Sequence, residues 1–265
     1  MELGLKGKVV VVTGGGRGIG KTIALEFAKE GSHIAVCGRT PETLEATAKE
    51  ATTMGVRTLA VRTDITKEAE VVSFMERVVT EFGHVDILVN NAAGSEGTMP
   101  IESVTVEKWN SAFDTTLLGA VLCCREAVKS MLPRKEGVII NISSIRGKIG
   151  HPQMLPYASA KAGLESFTRS LAQGLGRSGI RVNAVVVGAV SNQQEDPKII
   201  QRLTARAALQ GKTLDQYIQE KLRDVPIGRL VESQEVADLT LFLASARSGA
   251  ITGQSINCDG GRVQW

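Results

Sequence analysis

A short apolar run followed by a glycine-rich turn near the N-terminus constrains this chain most. Residues 8–13, K-V-V-V-V-T, are mostly β-branched, which favours a strand buried on both faces of a sheet. Residues 14–20, G-G-G-R-G-I-G, come next, and a helical pattern of apolar residues follows them. Glycines let the backbone turn sharply and approach a diphosphate, and the start of a helix attracts that anion. The segment therefore predicts a strand, loop and helix that bind a nucleotide.

Strand-like runs recur along the chain with helical segments between them. Alternation of this kind predicts βαβ units and a parallel sheet. A length of 265 residues fits one large domain. We therefore expect a single α/β domain over residues 1–265, a doubly wound, Rossmann-like parallel sheet of about seven strands with helices on both faces. The predicted strands lie near residues 8–13, 33–38, 56–62, 86–90, 137–142, 180–187 and 254–258.

The glycine-rich turn also matches a second nucleotide motif. Residues 15–22, G-G-R-G-I-G-K-T, fit the phosphate loop of ATPases and GTPases, G-x-x-x-x-G-K-S/T. In that interpretation Lys21 would reach the phosphates and Thr22 would hold magnesium. However, no later predicted strand ends in an acid suited to magnesium, since Asp86 begins its strand. We therefore prefer the dinucleotide interpretation.

A second candidate site lies between residues 141 and 161, N-I-S-S-I-R-G-K-I-G-H-P-Q-M-L-P-Y-A-S-A-K. Ser144 closes an apolar run, and Tyr157 and Lys161 share one face of a predicted helix. A phenol has a pKa of about 10, which a neighbouring ammonium lowers by stabilising the phenolate. Tyr157 could then exchange a proton with a substrate oxygen that Ser144 holds. The alternative is an ordinary solvated contact between Tyr157 and Lys161.

The chain resembles the classical short-chain dehydrogenase/reductase family through motifs in the family's order and spacing. They are Thr13-Gly14-x-x-x-Gly18-x-Gly20, Asn90-Asn91-Ala92-Ala93-Gly94, and Ser144 with Tyr157-x-x-x-Lys161. The similarity runs from about Leu5 to Gly261. It implies an NADP(H)-dependent enzyme that interconverts a carbonyl and a secondary alcohol by hydride transfer, with Tyr157 as acid and base. Similar proteins act on 3-oxoacyl thioesters, sugars, steroids and small cyclic ketones, so the substrate is left open.

The same resemblance assigns the cofactor contacts. Asp64 would bind the adenine amino group with Ile65 beside it, Asn91 would contact a ribose, and the Val190 backbone would meet the carboxamide. The sequence that begins at Asp64 also suits a helix N-cap, a role compatible with facing a ligand. The full expected set is Gly14, Arg17, Gly18, Ile19, Gly20, Arg39, Asp64, Ile65, Asn91, Tyr157, Lys161 and Val190.

One departure from the family pattern falls at the proton relay. Thr116 stands where the family has an Asn that helps to hold a relay water beside the Lys. We keep Thr116 with Ser144, Tyr157 and Lys161 as a candidate catalytic residue. The replacement also leaves open a second hypothesis, a non-catalytic NADP-binding regulatory protein of the same fold.

Composition and patterning exclude several other classes of protein. The net charge is +3 with both signs mixed along the chain, so we expect no nucleic-acid partner. No apolar run reaches 18 residues and the N-terminus lacks a signal pattern, which predicts a cytoplasmic protein without a membrane partner. The four cysteines lie in apolar segments without C-x-x-C spacing, so neither a disulfide framework nor a metal site is expected.

Two further segments suggest a lid and an assembly. Residues 192–224 are longer than an ordinary connection and carry helical patches near 199–209 and 214–222, as expected of a lid over the substrate. The alternative is a surface elaboration with no role in binding. An apolar stripe of Leu164, Phe167, Leu171 and Leu175 marks the helix that carries Lys161. This stripe packs either on its own sheet or on another copy. In similar proteins this helix and the preceding long one, here about residues 106–132, form two-fold interfaces, so we expect a homotetramer.

Cofactor choice is the first testable point. The second predicted strand, residues 33–38, runs directly into Arg39 and has no acid at its end to bind the ribose 2′-OH of NAD(H). Arg39 and Arg17 would instead bind the 2′-phosphate of NADP(H), unless Arg39 is only a solvated charge. We expect Arg39→Asp to weaken NADPH binding by about 1.5–3 kcal/mol and to improve relative use of NADH. Titration of both cofactors measures this, and equal NADH and NADPH affinity in the unmodified protein would contradict it.

Overall fold

A single parallel sheet organises the chain in the computed structural model, which describes residues 2–94, 97–191 and 197–265. The strand order across this sheet is β3-β2-β1-β4-β5-β6-β7, so the direction of winding reverses between β1 and β4. Ligands of open α/β sheets bind outside the carboxyl ends of the strands at such a reversal. The strands are β1 (Val9–Thr13), β2 (His33–Gly38), β3 (Thr58–Arg62), β4 (Ile87–Asn90), β5 (Gly137–Ser144), β6 (Ile180–Val187) and β7 (Ser255–Cys258).

Helices cover both faces of the sheet. One apolar cluster joins the sheet to α1, α2 and α10, and a second joins it to α3, α5 and α7. The expected doubly wound, Rossmann-like architecture is therefore confirmed. The helices are α1 (Gly18–Lys29), α2 (Pro41–Thr52), α3 (Glu68–Phe82), α4 (Val106–Phe113), α5 (Gly119–Met131), α6 (Ile145–Ile149), α7 (Leu155–Leu175), α8 (Pro197–Ala208), α9 (Leu214–Leu222) and α10 (Ser233–Ala244).

Most differences from the sequence prediction concern element ends. All seven expected strands are present, but β5 continues to Ser144 instead of ending near residue 142. The last two residues pair with Val186 and Val187 of β6, which extends the ladder to the edge of the sheet. The two helices expected within the 192–224 segment are confirmed as α8 and α9, while residues 192–196 lie outside the described part.

The long helix expected over residues 106–132 is interrupted by a wider turn. Residues Asp114–Leu118 form a π-helical turn between α4 and α5. One-turn π segments are rare and change the direction of the side chains that they carry. Here the turn carries the buried Thr116, so the helix is irregular at a residue that the sequence had singled out.

No helix in the described ranges is long and apolar enough to cross a membrane.

Candidate active site

Ser144 and Tyr157 meet at the carboxyl edge of the sheet. Ser144 is the last residue of β5, and its hydroxyl accepts a hydrogen bond from the Arg146 backbone N–H at 3.2 Å, which begins α6. Tyr157 lies in the first turn of α7, where Pro156 favours the helical backbone. The Ser144 side chain lies close enough to the Tyr157 phenol to oppose a rise in its pKa. Two of the three expected catalytic groups are therefore neighbours.

Lys161 lies one helical turn after Tyr157, as the sequence predicted. Its ammonium donates a hydrogen bond to the Ile142 carbonyl at 2.5 Å and lies 5.7 Å from the centre of the Tyr157 ring. Burial lowers the pKa of Lys161 to about 8, although the Glu165 carboxylate opposes this shift. Lys161 is thus a buried cation beside the Tyr157 ring, and the charge of this lysine titrates close to neutral pH.

Buried polar contacts fix α7 against the sheet. The Asn90 amide donates to the Asn141 side-chain oxygen at 2.9 Å, and the Asn141 amide donates to the Thr168 hydroxyl at 2.8 Å. The Ser143 hydroxyl donates to the Glu165 carboxylate at 2.8 Å. Because unpaired polar groups are costly inside a protein, these contacts define the position of α7 relative to β4 and β5.

The environment of Tyr157 differs from the sequence expectation in one respect. Burial raises the pKa of the Tyr157 phenol, while the neighbouring Ser144 side chain and the positive charge of Arg146 oppose that rise. Sequence reasoning gave the opposing charge to Lys161 and overlooked Arg146. The available signal was an arginine two positions after Ser144, where the chain leaves the sheet at its functional edge.

Thr116 lies beside the site but bonds to a loop. Its hydroxyl accepts a hydrogen bond from the Gly94 backbone N–H at 3.2 Å, and the residue is buried. This contact ties the π turn to the Asn90–Gly94 loop, which follows β4. Thr116 therefore positions the loop, and its part in a proton relay stays a prediction.

The glycine-rich loop has the backbone that a diphosphate requires. Gly18 has a φ of +53° and open space where a side chain would lie, so a ligand could approach its backbone. α1 begins at Gly18, no Arg17 side-chain bond caps it, and its first turn has no acid. A side chain at Gly20 would lie 2.4 Å from the Gly14 carbonyl oxygen, so only glycine allows this tight turn. These residues fit a dinucleotide at the loop, with Ile19 half-buried between them.

Asn91 and Ile65 make contacts within the protein. The Asn91 amide donates to the carbonyl oxygens of Thr13 and Gly14 at 3.0 and 3.3 Å, which joins the two loops at the winding reversal. Ile65 is buried and packs close to Gly119. Asn91 thus holds the glycine loop in place, and its expected contact with a ribose stays a prediction.

Asp64 and Val190 follow the ends of their strands. The Asp64 carboxylate accepts from the backbone and the hydroxyl of Thr66, at 3.1 and 2.9 Å. The N-cap of α3 is Lys67, so the prediction that Asp64 caps this helix is wrong. Val190 is buried after β6 and forms a bridge with Val231. The cofactor contacts expected for Asp64 and Val190 stay predictions.

The two arginines that could select the cofactor are exposed, whereas the two residues of the phosphate-loop motif contact other parts of the protein. Arg17 and Arg39 are exposed at the start of α1 and after β2. Lys21 pairs with Glu50 at 2.8 Å, and the Thr22 hydroxyl donates to the Gly18 carbonyl at 3.2 Å. Lys21 and Thr22 therefore have contacts within the protein, in place of those a phosphate loop would give them.

Comparison with known proteins agrees with this geometry. The sequence profile described as short chain dehydrogenase matches residues 8–200. The chain is 34% identical to the 3-oxoacyl-[acyl-carrier-protein] reductase FabG of Staphylococcus aureus, over 96% of this chain and 97% of that protein. The chain belongs to the short-chain dehydrogenase family. As a member of this family, it is an oxidoreductase that binds a nicotinamide cofactor.

Two solved structures resemble this short-chain dehydrogenase closely. NAD⁺-bound xylitol dehydrogenase has a TM-score of 0.91 at 27% identity, covering 97% of this chain and 99% of that one. A variant of actinorhodin polyketide ketoreductase with NADPH has a TM-score of 0.90 at 33% identity, covering 98% of each chain. The phosphate-loop interpretation is therefore wrong, and the glycine motif belongs to a dehydrogenase.

The buried lysine of this dehydrogenase leads to a pH prediction. Because the pKa of Lys161 is about 8, its charge is present at neutral pH and is lost as the pH rises through that value. The raised pKa of Tyr157 keeps the phenol protonated over the same range. We expect kcat/KM for ketone reduction to fall above about pH 8, which initial rates across a pH series measure. A rate that stays constant up to about pH 10, where ordinary lysines titrate, would contradict this.

Proposed function

We propose that this chain is an NADPH-dependent reductase that interconverts a ketone and a secondary alcohol. The observation that carries the proposal is the convergence of Ser144, Tyr157 and the buried Lys161. The Lys161 ammonium lies 5.7 Å from the centre of the Tyr157 ring and bonds to the Ile142 carbonyl, two residues before Ser144 on β5. These groups lie at the carboxyl end of β5. This is the same edge of the sheet as the glycine loop, and a dinucleotide bound to that loop would extend along it. A nicotinamide cofactor supplies the hydride when it is bound.

The chain's own residues supply the proton and hold the oxygen. In the reductive direction the Tyr157 phenol donates its proton to the developing alkoxide, while the Ser144 hydroxyl hydrogen-bonds to the same oxygen. The Arg146 guanidinium and the Lys161 ammonium, a buried cation 5.7 Å from the centre of the Tyr157 ring, both stabilise the phenolate that results. In the oxidative direction the same groups act in reverse, with Tyr157 as the base.

NADP(H) is the cofactor that we infer. The end of β2 lacks a carboxylate, and the exposed Arg39 and Arg17 are suited to a 2′-phosphate. The actinorhodin ketoreductase neighbour was solved with NADPH, although the xylitol dehydrogenase neighbour holds NAD⁺. The arginines favour the first of these cofactors over NAD(H).

The similarity to FabG supports a 3-oxoacyl thioester as one candidate substrate, with small cyclic or sugar ketones as others. We also propose a cytoplasmic location. All four cysteines are free thiols, and three of them are buried, as is common in a reducing compartment.

The direct test is turnover of NADPH across a panel of ketones, with Tyr157→Phe as the variant. We expect the unmodified protein to reduce at least one class of ketone. Loss of the phenol proton should lower kcat by about 10²-fold or more, while NADPH binding measured by fluorescence stays nearly unchanged. If the Phe variant retains most of its turnover, Tyr157 is not the acid. An unmodified protein that binds NADPH but reduces no ketone would favour the regulatory alternative.

A homotetramer is the assembly that we propose. The apolar stripe of α7 gives limited support, because Phe167, Leu171 and Leu175 pack against the protein's own core. Better support comes from the 106–132 region, where Val106, Leu118 and Leu132 are exposed by 70, 44 and 42%. Exposed apolar side chains in this region suit a contact between copies.

Light scattering after size exclusion tests the assembly. We expect a mass four times that of the chain at micromolar concentration. Leu118→Glu should reduce that mass. Position 118 is exposed in the single chain but would be buried in the tetramer, where a carboxylate would have no partner. A monomer mass for the unmodified protein would contradict the proposal and leave these side chains as ordinary surface.

A further inference from the structure

Arg146 is a half-buried guanidinium beside the reacting groups, and the proposed reduction involves only its positive charge. It lies in the first turn of α6, where its backbone N–H bonds to the Ser144 hydroxyl at 3.2 Å. Within the part of the chain that the structure describes, its side chain forms neither an ion pair nor a hydrogen bond. Burying an arginine without an anion is costly, so such a group marks a position where a ligand could supply the partner.

A second guanidinium comes close to the first through packing. Ile145 and Val263 share a small apolar cluster with Val186, which brings the segment after β7 against the start of α6. Arg262 therefore lies near Arg146. Burial lowers the pKa of Arg146, and the positive charge of Arg262 lowers it further. Only 17% of the Arg262 side chain is exposed.

The nearby carboxylate does not neutralise this pair of arginines. Arg262 is 3.6 Å from Asp224, whose side chain is 71% exposed to solvent. An ion pair with so exposed a carboxylate is weak, and Asp224 does not pair with Arg146. The two arginines therefore keep a net positive charge at a partly desolvated position.

Contacts of the two arginines show where this positive charge lies. The Arg146 backbone bonds to the Ser144 hydroxyl, and Arg262 pairs with Asp224, two residues after the end of α9. The arginine pair thus lies between the reacting groups and the helical segment that the sequence singled out as a lid.

We propose that Arg146 and Arg262 bind an oxyanion of the substrate, a carboxylate or a phosphate close to the ketone that Tyr157 protonates. This inference rests on the proposed reductase function. Guanidinium groups bind both anions through paired, charge-assisted hydrogen bonds. The reduction adds one hydride from NADPH and one proton from Tyr157 to the ketone and leaves the anionic group unchanged. The substrate class is therefore a keto acid or a phosphorylated ketone.

Matched pairs of ketones test the charge directly. Acetoacetate is compared with methyl acetoacetate, and dihydroxyacetone phosphate with dihydroxyacetone, by kcat/KM with NADPH. We expect the anion of at least one pair to be preferred by about tenfold or more, as one charge-assisted contact provides. The pair with the larger preference distinguishes a carboxylate from a phosphate.

Variants of the two arginines connect that preference to the site. Arg146→Gln and Arg262→Gln should each reduce the ratio of anion to neutral kcat/KM by about tenfold, and Arg146→Lys should restore part of it. The ratio cancels any general effect of Arg146 on Tyr157. The matched control is Arg77→Gln, an exposed arginine on α3, which should leave the ratio unchanged.

The possible outcomes separate the two proposals. The oxyanion proposal is overturned if each neutral ketone has the same kcat/KM as its anionic counterpart, or if both Gln variants keep the ratio of anion to neutral kcat/KM. In either case the reductase function stands. If no ketone is reduced, the reductase function fails, and calorimetric titration with acetoacetate and with inorganic phosphate decides the rest. Binding that Arg146→Gln abolishes would support the anion site, and absence of binding to the unmodified protein would overturn it.

Discussion

The attachment of α7 to the centre of the sheet is the constraint on which the site depends. A buried chain of side-chain hydrogen bonds runs from Asn90 on β4 through Asn141 on β5 to Thr168 on α7. Each of these groups would be costly to bury alone, so the three elements have one favourable arrangement. Tyr157 and Lys161 lie on the same helix as Thr168. Their position above the end of β5 therefore follows from polar contacts about two to three helical turns away.

The site also shows how burial sets the charges that chemistry needs. Desolvation acts in opposite directions on the two titrating groups, raising the pKa of Tyr157 and lowering that of Lys161 to about 8. With these shifts, the phenol of Tyr157 stays protonated at neutral pH, and Lys161 loses its charge at about pH 8. Ser144 and Arg146 limit the shift of Tyr157, so residues just after the strand end act on a side chain of α7.

The cofactor side of the site depends on close backbone approach. Asn91 joins the glycine loop to the end of β4, and Gly20 allows the Gly14 carbonyl and the Asn91 amide to lie where a side chain would otherwise be. The π turn at Thr116 makes a further link to the same region through Gly94. The loops around the sheet reversal thus support one another, which is the usual requirement for a preorganised binding site.

The sequence by itself determined the seven-strand alternation, the glycine loop and the pairing of Tyr157 with Lys161, because these depend on local periodicity and motif spacing. The tertiary structure decided what the spacing could not express. It showed that β5 continues to Ser144, that Lys67 and not Asp64 caps α3, and that Arg146 acts on Tyr157. The proximity of Arg146 to Arg262, more than a hundred positions later, arises only because Ile145 and Val263 pack together. Contacts between distant segments come from packing of the whole fold, which no local pattern encodes.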